Sequence, residues 1–197
     1  AEQILAQALD ESYRRHISWQ LGQALVHAVD VERRRRQTVQ ALTYGKSAEQ
    51  ILDKLTESNW NTPRTQFQSS RLSFLIGSIH AVQLKNHTAA VVWFEKALDD
   101  VSRPEPDVDL VQTADRGEWM VSMGVSYWAV GHKQKAVRLT ELGVGLIEAA
   151  HREKAVEAEK LAVPYNNLVF MHKQLGEKDK AQHFAELAGR LEGTKKR

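Results

Sequence analysis

Residues 123–136 read Met-Gly-Val-Ser-Tyr-Trp-Ala-Val-Gly-His-Lys-Gln-Lys-Ala, and their pattern recurs 45 positions later. Residues 168–181 read Leu-Val-Phe-Met-His-Lys-Gln-Leu-Gly-Glu-Lys-Asp-Lys-Ala, with the ring residue, the Gly and the final Ala at the same intervals. A third, weaker copy begins at Ile76 and contains one extra residue near Lys85. Self-similarity at a fixed period is typical of proteins built from stacked repeats.

The intervals have a mechanical meaning for two antiparallel helices. A small residue on the first helix and an Ala on the second let the helices approach closely, and a Gly before the second helix permits a tight turn. The Gly residues at the turns are Gly131 and Gly176. The small residues at the predicted contacts are Gly77 and Gly124 on first helices, and Ala90, Ala136 and Ala181 on second helices.

The rest of the chain also predicts helices. Its 197 residues include only four Pro and 11 Gly, and no alternating apolar run favours a strand. We expect Gly45 to end the first helix, Thr62-Pro63 to begin the third, and residues 103–107 to form a linker. Pro164 either kinks its helix or marks a start near Leu161. The predicted helices span about 2–43, 47–57, 63–84, 88–101, 107–130, 133–150, 152–175 and 178–192.

Composition narrows the classes of function. The formal net charge of +2 is too small for a typical nucleic-acid or membrane-surface protein. The longest apolar stretch, residues 89–94, is far shorter than the roughly 18 residues that a membrane span needs. The absence of Cys excludes disulfides and thiolate zinc sites but leaves the compartment open, with the cytoplasm favoured.

The repeated pattern resembles the tetratricopeptide repeat family over about residues 63–192. The best matches are Gly124-Val-Ser-Tyr127 followed by Gly131–Ala136, and Tyr165-Asn-Asn-Leu168 followed by Leu175–Ala181. Phe94-Glu-Lys-Ala-Leu98 is similar to the end of the family's second helix. The family's usual period is about 34 residues. The extra residues here amount to about three helical turns, so a longer helix keeps the same face buried.

The resemblance implies an all-α fold, an α-α superhelix of antiparallel helix pairs. Residues 61–193 would form three repeats, residues 1–60 an N-terminal helical cap or a degenerate repeat, and residues 194–197 a frayed tail. In such a fold the first helices of the pairs line a concave groove that binds peptides. The groove positions that the resemblance implies are Phe74, Ser78, Ser122, Val125, Asn167, Phe170 and Lys173.

Three short motifs that carry chemistry in other proteins are incomplete here. Gly45-Lys46-Ser47 has Gln40 where a phosphate-binding loop needs Gly. Gly124-Val-Ser126 has Trp128 where a nucleophile elbow needs Gly. Glu148-Ala-Ala-His151 has the spacing of a di-iron motif, which requires a second copy that the sequence lacks. We therefore expect no enzymatic activity, no cofactor and no metal site.

Arg33–Arg36 is the one charge run of the chain. Four consecutive helical residues spread over about 300° of the helix circumference, so they cannot form a single stripe. We expect these side chains to pair with the nearby Asp30 and Glu32. Binding of an acidic partner is the alternative.

These observations predict a protein- or peptide-binding adaptor that uses the concave groove. The expected ligand is a protein or a peptide, with neither nucleic acid nor membrane as a partner. Two alternatives stay open. One is a self-assembling scaffold, a homo-oligomer in which repeat ends stack on other copies. The other is a regulatory domain of a larger protein.

Overall fold

A computed structural model describes residues 2–58, 60–101 and 110–194 of the chain. In this part of the chain, eight α-helices pack as four consecutive antiparallel pairs. The predicted all-α fold and the helix pairs are therefore confirmed. The predicted linker at residues 103–107 lies outside the described residues. The helices are α1 (Glu2–Arg34), α2 (Thr38–Glu57), α3 (Pro63–Ser78), α4 (His87–Val101), α5 (Leu110–Ala129), α6 (Lys133–Arg152), α7 (Ala162–Gln174) and α8 (Lys178–Thr194).

The helices form two compact units, each with its own core. Unit 1 is Ala1–Ser102 and holds α1 to α4, and unit 2 is Arg103–Arg197 and holds α5 to α8. In unit 1, α3 contacts both helices of the preceding pair, and in unit 2, α7 does the same. Burial of large apolar side chains stabilises each unit. The most buried of them include Leu52, Ile79 and Phe94 in unit 1, and Met123, Tyr127, Ile147 and Leu168 in unit 2.

The four turns within the pairs share one geometry. Each turn contains a residue with positive φ, two positions before the second helix begins. An Ala lies five positions after that positive-φ residue. The backbone N–H of that Ala donates to the carbonyl of the residue that follows the positive-φ residue. The positive-φ residues are Arg36 (61°), Lys85 (54°), Gly131 (91°) and Gly176 (77°). The corresponding Ala41, Ala90, Ala136 and Ala181 are all buried. The sequence pattern predicts three such pairs, and the structure contains four.

The predicted close approach of paired helices is confirmed at two glycines. A Cβ on Gly77 would lie 2.5 Å from Phe94 Cε1 and 3.2 Å from the Ala90 carbonyl oxygen. A Cβ on Gly124 would collide with Thr140 Oγ1 and lie 3.0 Å from the Ala136 carbonyl oxygen. The contacts with Phe94 Cε1 and Thr140 Oγ1 are closer than those of real Cβ atoms, so a side chain at either position would force its neighbour to shift.

The prediction for the first two helices is wrong at their boundary. α1 ends at Arg34, the turn is made by Arg36, and α2 continues through Gly45 instead of starting after it. Gly45 is buried, and a Cβ there would lie 3.2 Å from Ile76 Cδ1. This Gly therefore serves helix packing rather than capping.

Three other local predictions are confirmed. Thr62 Oγ1 accepts a hydrogen bond from the Thr65 backbone N–H at 3.2 Å and caps α3. The extra residue near Lys85 is accommodated by a π-helical segment, Ile79–Gln83, in which one residue bulges from the helix. Of the two options for Pro164, the later helix start is correct: α7 begins at Ala162, which places Pro164 in the first turn, where no helical hydrogen bond is lost.

Candidate functional site

Two of the seven predicted groove residues are buried. Phe74 is 6% exposed and Ser78 is 8% exposed. The Phe74 ring stacks on Phe94 of the paired helix, with centroids 5.8 Å apart. The prediction that Phe74 and Ser78 face a groove is therefore wrong. The reason is that α3 contacts α1, α2 and α4, which together cover this part of it.

The other predicted groove residues are accessible, and all of them belong to unit 2. Ser122 and Val125 are exposed on α5, and Phe170 and Lys173 are exposed on α7. Asn167 on α7 is partly exposed. The accessible predictions thus fall on the first helices of two consecutive pairs.

These two helices lie side by side and run in the same direction. Lys160, in the short 3-10 turn that precedes α7, donates from Nζ to Glu118 Oε1 in the middle of α5 at 2.6 Å. Near their ends, the rings of Trp128 and Phe170 meet edge to face with centroids 5.8 Å apart. Both contacts join residues that are 42 positions apart, so the helices are parallel and Val125 lies level with Asn167.

An apolar patch occupies the surface shared by the two helices. Phe170 is 51% exposed although its edge contacts Trp128, and Val125 and Val163 are also exposed. Val163, Asn167 and Phe170 share one side of α7, because they are spaced by four and three residues. We call the surface formed by Val125, Trp128, Val163, Asn167 and Phe170 the α5–α7 face.

Trp128 and Val163 were not among the predicted site residues. The sequence spacing does indicate Val163, since a residue seven positions before Phe170 lies on the same side of a helix. No sequence pattern indicates that Trp128 is exposed, because an aromatic residue at a predicted contact between repeats is more often part of a core than of a surface.

The polar residue of the α5–α7 face has unused hydrogen-bonding capacity. Asn167 makes no hydrogen bond to another described residue. Its neighbour Asn166 instead donates to the Ala162 carbonyl oxygen at 3.0 Å. A side-chain amide offers both donors and an acceptor. Asn167 can therefore pair with both polar groups of a peptide bond.

The two ends of the α5–α7 face differ in charge. At the end nearer the start of α7, Lys160 pairs with Glu118 at 2.6 Å and with Asp115 at 3.4 Å. The hydrogen bond that Lys160 donates to Glu118 is the main cause of the raised pKa of Lys160. At the other end, Lys133 Nζ lies 4.0 Å from the Trp128 ring centroid and donates to the Trp128 carbonyl oxygen at 2.8 Å. Asp115 and Glu118 are thus paired with Lys160, whereas the ammonium group of Lys133 makes the end near Phe170 basic.

The residues of the three incomplete motifs have structural surroundings of their own. Gly45-Lys46-Ser47 lies inside α2 rather than in a loop, and Ser126 is buried within α5. Glu148 accepts a hydrogen bond from Tyr165 Oη at 2.7 Å, and His151 Nδ1 lies 3.0 Å from the Val156 carbonyl oxygen. Among residues 2–58, 60–101 and 110–194, no group of three His, Asp or Glu could hold a metal ion.

The Arg run makes the predicted ion pairs. Arg33 and Arg34 contact Asp30 at 2.6 and 2.9 Å, and Arg35 contacts Glu32 at 3.2 Å. Arg34 and Arg35 remain exposed to solvent. No described helix has the length and hydropathy required to cross a bilayer.

Comparisons with known proteins do not assign the chain to a family. No protein-family profile matches the sequence. No curated protein matches it either. The case for a function therefore depends on the geometry of the α5–α7 face.

Proposed function

We propose that the chain is a long-period tetratricopeptide-like repeat protein, an α-α superhelix that binds an extended peptide on the α5–α7 face. The observation that carries the proposal is Phe170, a half-exposed aromatic ring fixed by Trp128 on a surface between two parallel first helices. Large exposed aromatic side chains in such positions are typical anchors of protein interfaces.

The turn geometry supports the repeat assignment. The positive-φ residue and the buried Ala recur in all four pairs, with 49, 46 and 45 residues between successive turns. The first pair shares this geometry, with Arg36 at the turn and Ala41 in the contact. This favours a degenerate repeat over an unrelated cap at residues 1–60.

The polar groups suggest how the peptide is oriented. Phe170 and Val163 provide apolar contacts one helical turn on either side of Asn167, which would pair with the peptide backbone. The ammonium of Lys133 is held against Trp128, and Lys173 lies one turn beyond Phe170. A ligand with an apolar residue beside an acidic one therefore fits this face best.

Selection from a displayed library of random peptides tests the proposal with the full chain as bait. The double variant Asn167→Ala and Phe170→Ala should bind the selected peptides more weakly by about 2–4 kcal/mol, as expected when anchor residues are removed. Its circular dichroism spectrum should be unchanged, because neither side chain is buried. The enriched peptides should contain an acidic residue next to an apolar one.

A matched control is available on α6, which does not contribute to the α5–α7 face. Leu142 on α6 is exposed to a similar degree as Phe170. The Leu142→Ala variant should retain full affinity. If the double variant binds as well as the wild type, or if Leu142→Ala causes the same loss, the α5–α7 face is not the binding site.

A further inference from the structure

The outward side of α1 carries an apolar seam that no described helix covers. Ile17, Leu21 and Val31 are exposed, with Leu21 and Val31 each 51% accessible. Ala24 and Ala28 lie between them. The spacing of four, three, four and three residues is the heptad pattern of a coiled-coil seam.

This seam faces away from the rest of unit 1. The buried residue Val26 lies midway between Ala24 and Ala28, about 200° around the helix from each. Gly22 on the buried side approaches Leu52 of α2, where a Cβ would lie 3.2 Å from Leu52 Cδ2. The contacts of α1 with α2 and α3 therefore use the other side of the helix and leave the seam open.

The seam is self-complementary when a second α1 runs antiparallel to the first. If residues whose numbers add to 45 are opposite each other in an antiparallel pair, two of the three large residues face an Ala, and Val31 faces Arg14. Ile17 then faces Ala28 of the second copy, and Leu21 faces Ala24. Small residues opposite large ones let two helices approach closely.

The charges at the two ends of the seam fit the same register. Asp10 falls opposite Arg35 of the second copy, and both continue the heptad spacing of the seam. In one chain Asp10 pairs with Arg14 at 2.8 Å, and both of these side chains are exposed. Exposed pairs of this kind contribute little and exchange partners readily. A parallel arrangement would instead place acidic ends together and basic ends together.

We propose that two copies of the chain form a symmetric dimer through the outward side of α1, with the two helices antiparallel. The apolar centre of the seam would be dry, and an acidic and a basic end would meet at each extremity. Arg35, within the run at residues 33–36, acquires a role in this arrangement, since it falls opposite Asp10 of the partner helix. The dimer leaves the α5–α7 face unused.

Sedimentation equilibrium of the full chain over a range of concentrations tests the association. The wild-type chain should show a reversible monomer–dimer equilibrium. The double variant Leu21→Glu and Ala24→Glu should raise the dissociation constant at least tenfold, because it places charges in the apolar seam. The control Val39→Glu with Val92→Glu adds the same charge at exposed sites of α2 and α4 and should leave the constant unchanged.

Cysteine cross-linking tests the orientation, and the chain is suited to it because it contains no Cys. A mixture of the single variants Ile17→Cys and Ala28→Cys should form disulfide-linked dimers under mild oxidation. Each variant alone should not, because residue 17 lies eleven positions, about 16 Å, from residue 17 of an antiparallel partner. A mixture of Ala28→Cys and Val39→Cys serves as the negative control.

Three results would overturn the proposal. The first is a wild-type chain that stays monomeric at every concentration. The second is a glutamate variant that retains its circular dichroism spectrum and dimerises as well as the wild type. The third is efficient cross-linking of either cysteine variant with itself, which would indicate a parallel pair.

Discussion

At the scale of single residues, Gly124 sets the separation of α5 and α6. A Cβ at this position would collide with Thr140 Oγ1, whereas a Cβ on Gly145 of α6 would meet nothing within 4 Å. We expect Gly124→Ala to lower the free energy of unfolding by about 1–3 kcal/mol, as overpacking does. Gly145→Ala should raise it by about 0.5–1 kcal/mol, because Ala favours a helix more than Gly does. Urea denaturation measures both, and equal effects would refute the predicted contact.

A second residue-scale prediction concerns His172, which is fully buried and stacks on Phe184 with ring centroids 5.5 Å apart. Its Nδ1–H donates to Glu177 Oε2 at 2.6 Å, since a carboxylate only accepts. This hydrogen bond, with help from Lys180, holds the pKa of Glu177 below its ordinary value of 4.5.

A carboxyl group whose pKa is lowered by folding stabilises the protein above its unfolded pKa, and this stabilisation is lost as the pH falls through the folded pKa. We therefore expect the wild-type melting temperature to fall as the pH drops below 4.5, with part of the fall due to Glu177. Glu177→Gln should flatten this dependence, because the amide does not titrate. Glu153→Gln, at an exposed site, should keep the wild-type profile. Identical profiles for all three chains would contradict the assignment.

At the scale of elements, the turns explain which parts of the fold are predictable. Gly131 and Gly176 predict their turns from the sequence, because Gly adopts positive φ at little cost. Arg36 and Lys85 take the same backbone conformation without that signal. The sequence therefore leaves open whether the first pair is a cap or a degenerate repeat, and the copy with Lys85 at its turn is the weaker match. Gly45 shows the converse, since Gly is favoured both at a turn and at a close helix contact, and sequence spacing does not distinguish the two.

The same ambiguity limits prediction of the site. Phe170 and Phe74 are both aromatic residues on first helices, but one is half exposed and the other is buried against Phe94. The difference arises from how the neighbours are arranged: α3 and α7 each contact three helices, but one side of α7 stays open. Such neighbours are set by tertiary packing, which the local pattern does not contain.

The shared turn geometry yields an element-scale prediction. A side chain in the left-handed region costs about 1–2 kcal/mol, and Gly avoids this cost. After allowance for the greater freedom of Gly in the unfolded chain, Arg36→Gly should stabilise the protein by about 0.5–1 kcal/mol. Gly131→Ala should destabilise it by about 1 kcal/mol, although a Cβ there meets nothing within 4 Å. Thermal denaturation of both variants measures these shifts, and destabilisation by Arg36→Gly would refute the equivalence of the turns.

At the scale of the whole molecule, the two proposed surfaces lie in different compact units of the chain. The α1 seam belongs to unit 1 and the α5–α7 face to unit 2. Each unit has about the size of a small domain and buries its own apolar core. Dimer formation and peptide binding should therefore be separable.

Expression of residues 1–102 and 103–197 as separate fragments tests this separation. Each fragment should show a helical circular dichroism spectrum and a cooperative thermal transition, because the main pair contacts lie within one unit. Residues 103–197 should bind the selected peptides with the affinity of the full chain, and residues 1–102 should dimerise with its dissociation constant. A folded fragment 103–197 that no longer binds would show that the peptide site needs residues of unit 1. A folded fragment 1–102 that stays monomeric would show that α1 alone does not form the dimer, because every residue of the seam is present in that fragment.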